Sequence, residues 1–136
     1  MNILKIITTG ILISLLAVIF SASNTTPFFV SSLNQNDSDV TIGMTNDLKF
    51  TPDTVRIKKG DTVLWENSSL LVHSVTADHD KKTEDDSVEL PEGAEPFDSG
   101  LLDPDETFRY TFTTKGTYKY FCMPHEAAMK GVIIVE

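Results

Sequence analysis

The sequence predicts an all-β sandwich from residue 40 onward, on three observations. Short segments rich in β-branched and aromatic residues recur between turn signals, a spacing that suits two packed sheets. One of them, Thr107 to Thr113, alternates strictly, with Phe108, Tyr110 and Phe112 on one face and Thr107, Arg109, Thr111 and Thr113 on the other. Finally, 136 residues suffice for one ordinary domain and a short appendage, and the 40% apolar share supports a packed core.

The first segment has the layout of an export signal: a charged start at Lys5, an apolar run from Ile6 to Phe20, then Ser21-Ala22-Ser23. An uncleaved membrane anchor over residues 3–20 is the alternative, because that stretch is just long enough to cross a bilayer. Thr8, Thr9, Gly10 and Ser14 dilute the run and favour cleavage after residue 23. Residues 24–39 are rich in Ser, Asn, Thr and Asp and are expected to be a flexible linker. The expected location is periplasmic or otherwise extracytoplasmic.

The strands expected in the domain of residues 40–136 are Val40 to Met44, Thr54 to Ile57, Thr62 to Asn67, Val72 to Ala77, Thr107 to Thr113, Thr117 to Cys122 and Val132 to Val135. Val63 and Trp65 share one face, as do Val55 and Ile57 just before the Lys59-Gly60-Asp61 turn. Between His79 and Pro96 lies a run dense in Asp, Glu and Lys, expected to be a solvated loop. Its acidic residues lack the spacing and the turn glycine of a calcium loop.

Eleven basic against twenty acidic residues give a net charge of -9, which repels phosphate backbones and argues against nucleic acid as a partner. The single cysteine, Cys122, excludes an internal disulfide and a four-cysteine zinc site. In an exported, oxidising setting such a thiol is a liability unless it is buried, reactive or bound to metal.

Three potential metal ligands, Cys122, His125 and Met129, crowd into eight residues between the last two strands, and His73 offers a second imidazole from an earlier one. Two His, one Cys and a weak Met form the donor set that selects copper for electron transfer. Soft sulfur suits Cu(I), imidazole serves both oxidation states, and a trigonal site with a long axial Met lies between their preferences. A structural zinc site seldom uses Met, and a catalytic one needs an open position. Met123 competes with Met129, but alternation points it away from the Cys122 thiolate. His79, between Asp78 and Asp80, is expected to be a solvated surface histidine. Proline at 124 has no N–H to donate to the thiolate, so restoring one is expected to raise the reduction potential.

Here the chain resembles the small blue-copper proteins, or cupredoxins, of the plastocyanin, amicyanin and pseudoazurin group. The motifs are Cys-x-Pro-His-x-x-x-Met (122–129), the Met-Lys-Gly run into an apolar last strand, Trp65-x-Asn67 through His73-x-Val75-Thr76, and Phe97-Asp98-Ser99-Gly100 before Phe108-x-Tyr110-x-Phe112. The step from His125 to Met129 is one residue longer than in amicyanin-like loops and one shorter than in plastocyanin-like loops. Ser74 stands where many relatives carry Asn.

The resemblance implies a Greek-key β-sandwich with one copper at one end, held by His73, Cys122 and His125 with Met129 axial. It also implies an electron exit through His125, ringed by Leu70, Leu71, Pro124, Ala127 and Ala128. The expected function is a monomeric electron carrier, not an enzyme, working between redox proteins such as a cytochrome or an oxidase with a basic docking patch. A multicopper oxidase needs His-x-His pairs and a binuclear thiolate-bridged centre needs two Cys, and the sequence has neither. A copper storage or delivery protein is the alternative, and a metal-free sandwich remains if Cys122 is only a buried small hydrophobe.

Overall fold

The computed structural model describes residues 40–136. The expected export signal and linker, residues 1–39, lie outside the described residues.

Nine strands form two sheets packed face to face. They are β1 (Val40–Met44), β2 (Phe50–Thr51), β3 (Thr54–Ile57), β4 (Thr62–Asn67), β5 (Thr76–Ala77), β6 (Phe97–Asp98), β7 (Thr107–Thr111), β8 (Gly116–Phe121) and β9 (Lys130–Val135). One sheet runs β2-β1-β4-β7 and the other β3-β9-β8-β5-β6. β1 pairs parallel with β4 and β3 parallel with β9, while the remaining pairs are antiparallel. The chain crosses between the sheets at β2–β3, β3–β4, β4–β5, β6–β7 and β7–β8, the crossovers expected of the cupredoxin-like sandwich. Among the described residues no helix is long and apolar enough to cross a membrane.

Alternation builds the core. Ile42 and Met44 of β1, Val63 and Trp65 of β4, Tyr118 and Tyr120 of β8, and Ile133 and Val135 of β9 all point inward and are buried. Trp65 is the hub: its ring lies 5.4 Å from Tyr120, 5.8 Å from Phe108 and 6.1 Å from Phe97, distances at which tilted aromatic pairs attract beyond their buried area. Phe108 and Tyr110 pack against this core from β7, opposite Trp65 and Val63.

Two elements differ from expectation. Of the predicted Val72 to Ala77 strand, only Thr76 and Ala77 form a named strand, with His73 making an isolated antiparallel bridge to Leu102. The rest spend their backbone groups elsewhere: Ser74 N–H donates to Cys122 Sγ at 3.3 Å and Val75 N–H to Ser99 Oγ at 2.8 Å. The site has taken the donors a strand would use.

The acidic segment is also more than a solvated loop. Ser87 and Val88 are buried, Glu89 bridges to Lys119 of β8, and Lys130 of β9 pairs with Glu84 at 2.6 Å and Asp86 at 2.8 Å. Charge density alone suggested solvation, but cations on the neighbouring sheet and a carboxylate described below hold the segment down as a strap. The two-residue strands β2 and β6 escape a reading of periodicity because so short a run has none. Tertiary partners specify β6 instead, through Thr76 Oγ1 donating to Asp98 Oδ1 at 2.8 Å.

Candidate metal centre

β8 delivers Cys122 at its end, and the chain then tightens into a 3-10 turn over Met123–His125. Pro124 suits that turn, having a fixed φ and no N–H that would need a partner at its start. The turn closes on itself: His125 N–H donates to Cys122 C=O at 2.9 Å, Met129 N–H to His125 C=O at 2.9 Å, and Cys122 N–H to Met129 C=O at 3.0 Å. Met129 thereby enters the core beside Cys122, fully buried.

His73 arrives from the other side and is held through its backbone. Its N–H and C=O exchange bonds with Leu102 at 3.1 and 2.8 Å. Beneath it, buried Asn67 donates to the carbonyls of Leu71 and Leu102 and accepts from the Ser69 N–H and hydroxyl, so all of its bonding capacity is used. Ser74 ties the two ligand loops together, since its hydroxyl accepts the Met123 N–H at 2.7 Å and its own N–H donates to Cys122 Sγ. A serine thus supplies the link in this chain.

The result brings His73, Cys122 and His125 together, with the sulfur and one ring nitrogen of each histidine within 4.8 Å of one another. Sγ lies 3.5 Å from His73 Nδ1 and 3.4 Å from His125 Nδ1. Sulfur and nitrogen ligands about 2.0 to 2.3 Å from a shared ion, at trigonal to tetrahedral angles, stand about 3.3 to 3.8 Å apart. The three donors therefore fit a metal ion with little rearrangement, and their chemistry is that of a copper site. Met123 is half-buried and His79 exposed, both outside this cluster.

Burial favours the neutral forms of Cys122 and His73. Burial pushes the Cys122 thiol up, against N–H groups of Ser74 and His125 that favour the thiolate. Burial also lowers His73, reinforced by neighbouring His125 and opposed by the Thr45 carbonyl. Cys122 would bind a divalent ion as the thiolate, whose charge, disfavoured by burial, the ion would neutralise.

Two features here go beyond the sequence reading. Glu126, next to His125, is only 8% exposed, and both of its oxygens are engaged by residues 83 and 84 of the acidic strap. Burial acts to raise its pKa, but the bonds from Thr83 and Glu84 outweigh it and hold the carboxyl at about 2. The second feature concerns the surface: Leu70 is 85% and Leu101 63% exposed, with Leu71, Val72, Pro124, Ala127 and Ala128 also open to solvent. Leu101 and Val72 extend the apolar set expected from the sequence.

A family model described as copper binding proteins of the plastocyanin/azurin family matches residues 37–136. The chain is 39% identical over 106 residues to a plastocyanin of Scenedesmus fuscus, covering 72% of this chain and 100% of that protein. It is 36% identical over 114 residues to a chloroplastic plastocyanin of Tetradesmus obliquus, covering 79% and 73%. Among solved structures it is similar to a purple cupredoxin from Nitrosopumilus maritimus, with a TM-score of 0.56, 25% identity and coverage of 72% and 100%. A Cu(I) amicyanin variant gives a TM-score of 0.59 at 26% identity, covering 74% and 84%. A copper-containing nitrite reductase from Thermus scotoductus matches at 30% identity and a TM-score of 0.57, but this chain spans only 22% of that one.

Proposed function

The chain belongs to the plastocyanin/azurin family of copper-binding proteins and is a one-copper, plastocyanin-like electron carrier, and on that premise we propose that it is exported and shuttles single electrons between redox proteins. His73, Cys122, His125 and Met129 are the residues that would hold the copper. The observation that carries this reading is the buried Sγ, Nδ1, Nδ1 cluster, whose His125 corner is half-exposed while His73 and Cys122 are sealed. Copper in such a site supplies a one-electron couple. The chain's own residues keep water away from the cluster, hold the imidazoles in place, and leave one edge within a partner's reach.

Electrons leave through His125. The exposed apolar residues at 70, 71, 72, 101, 124, 127 and 128 allow close approach and support a docking role. Ala127→Asp places a charge in that patch and slows exchange without altering the visible spectrum. The net charge of -9 steers the protein toward a basic partner such as a cytochrome or an oxidase, with rates that fall as salt rises. Residues 1–23 serve as export signal, residues 24–39 as linker, and the carrier works as a monomer in the periplasm or another extracytoplasmic space.

The deciding experiment titrates signal-free protein with Cu(II), alongside Cys122→Ser. The expected result is an intense blue band saturating at one copper per chain, with narrow copper hyperfine splitting, both lost in the mutant. A weakly coloured complex that surrenders its metal readily to a chelator supports copper storage or delivery instead.

A further inference from the structure

The acidic strap grips the ligand loop from outside, at a residue that touches no metal. Glu126 follows His125 directly, and its carboxylate turns away from the cluster toward residues 83 and 84. Oε1 accepts the Thr83 N–H at 3.0 Å and the Glu84 N–H at 2.9 Å, while Oε2 accepts the Thr83 N–H at 3.0 Å and the Thr83 hydroxyl at 2.5 Å. A carboxylate this well buried is costly unless its lone pairs are satisfied, and here both oxygens are. Four residues further on, Lys130 reaches the same strap at Glu84 and Asp86. These ion pairs are partly exposed, so they add less than the buried carboxylate.

Position gives the contact its meaning. On the other side of the loop, Met123 N–H is tied to Ser74. The anchors at 123 and 126 bracket Pro124 and His125, so the half-exposed histidine sits on backbone pinned at both ends. Without the anchor at 126, the segment from Glu126 to Ala128 is held by the Ala128 N–H bond to the His125 carbonyl, which also accepts the Met129 N–H.

We propose that Glu126 is a positioning residue for the copper centre: by clamping the ligand loop to the strap at Thr83 and Glu84 it holds His125 in its metal-ready place, which slows metal loss and keeps the site from rearranging during electron exchange. The proposal rests on the copper reading above. It makes the strap a working part of the site, although the strap contributes no ligand.

The test compares wild type, Glu126→Ala, Glu126→Gln and Thr83→Val with Glu92→Gln, which removes one exposed strap charge and leaves the clamp intact. In copper-free protein, nitrogen relaxation of residues 123–128 should report looser backbone in Glu126→Ala. In reduced, copper-loaded protein, transfer of copper to a chelator should quicken about tenfold in Glu126→Ala, the low end of effects seen when groups supporting a metal ligand are removed. Glu126→Gln should fall between it and wild type, because the amide oxygen still accepts from backbone N–H groups. Electron self-exchange should slow in the same order, and Glu92→Gln should match wild type in all three readouts.

Wild-type release, self-exchange and loop order in a Glu126→Ala protein that merely melts earlier would overturn the proposal, as would equal effects from Glu92→Gln. Should Glu126→Ala fail to fold, Glu126→Gln and Thr83→Val carry the same comparison. A wild-type protein that forms no saturable blue complex would instead refute the copper reading, which keeps the two failures distinct.

Discussion

Gly131→Ala tests how tightly β9 packs against the Tyr120 ring of its neighbour β8. Gly131 lies in β9 directly across from Tyr120 in β8, and a methyl group there would come within 2.7 Å of Tyr120 Cε1 and closer still to its Cζ and hydroxyl oxygen. Carbon atoms rest about 3.5 to 4.0 Å apart, so the ring or the strand must move by about 1 Å. The ring cannot yield easily, being fully buried with Phe50 at 4.6 Å and Trp65 at 5.4 Å. Moving β9 instead disturbs its ladders to both β8 and β3. Overpacking a well-filled core costs about 1 to 3 kcal/mol, and with every neighbour fixed the upper end, about 3 kcal/mol, is expected. Urea and thermal unfolding of the copper-free protein measure it, each kcal/mol moving the midpoint by about 4 to 8 °C in a domain of this size. Gly43→Ala is the control, because its methyl would meet only Ser68 Oγ at 3.7 Å and Thr51 O at 3.8 Å. Adding Tyr120→Phe to Gly131→Ala removes one of the three close contacts, so the double mutant should be more stable than the sum of the singles predicts. A Gly131→Ala loss below about 1 kcal/mol, or full additivity with Tyr120→Phe, would refute the reasoning.

Three further outcomes are expected. Asn67→Ala strips partners from the Leu71 and Leu102 carbonyls and from Ser69, and should cost about 3 kcal/mol in urea unfolding while broadening the copper spin spectrum as the His73 loop loosens. For Asp98, burial acts to raise the pKa, but Lys81, the Thr76 hydroxyl and the Gly100 N–H outweigh it and hold the carboxyl below its ordinary 3.8. A pKa depressed on folding contributes stability that is fully present above the ordinary value and is lost as pH falls through the folded one, so the gap between wild type and Asp98→Asn should shrink between pH 7 and pH 3; a constant gap by urea unfolding counts against it. Pro124→Ala restores an N–H near the thiolate and should raise the reduction potential by voltammetry, an unchanged or lowered value speaking against that account.

The strands most legible in the sequence were those whose alternation meets a buried face. Trp65 and Val63 in β4, Tyr118 and Tyr120 in β8, and the run into Val135 carry a period of two because one side is core. Two members of the His73, Cys122, His125 cluster were legible for a different reason: Cys122 and His125 are local in sequence, and chemistry of that kind at that spacing has few uses. The Val72 to Ala77 strand was overextended because nothing in its pattern says that Ser74 and Val75 give their N–H groups to Cys122 and Ser99. The strap was misjudged because its charges look solvated until Lys119, Lys130 and Glu126 are brought beside them.

By itself, then, the sequence determined the sandwich and pointed to Cys122 and His125 as members of the cluster, since periodicity and ligand chemistry are local properties. Only the tertiary structure decided that His73 reaches Cys122 across 49 residues, that Ser74 and Asn67 hold the histidine loop, and that Glu126 faces Thr83 rather than water. Those contacts join segments far apart along the chain. Their bonds have no period, and they exist only once the packed sheets have set the distances between loops.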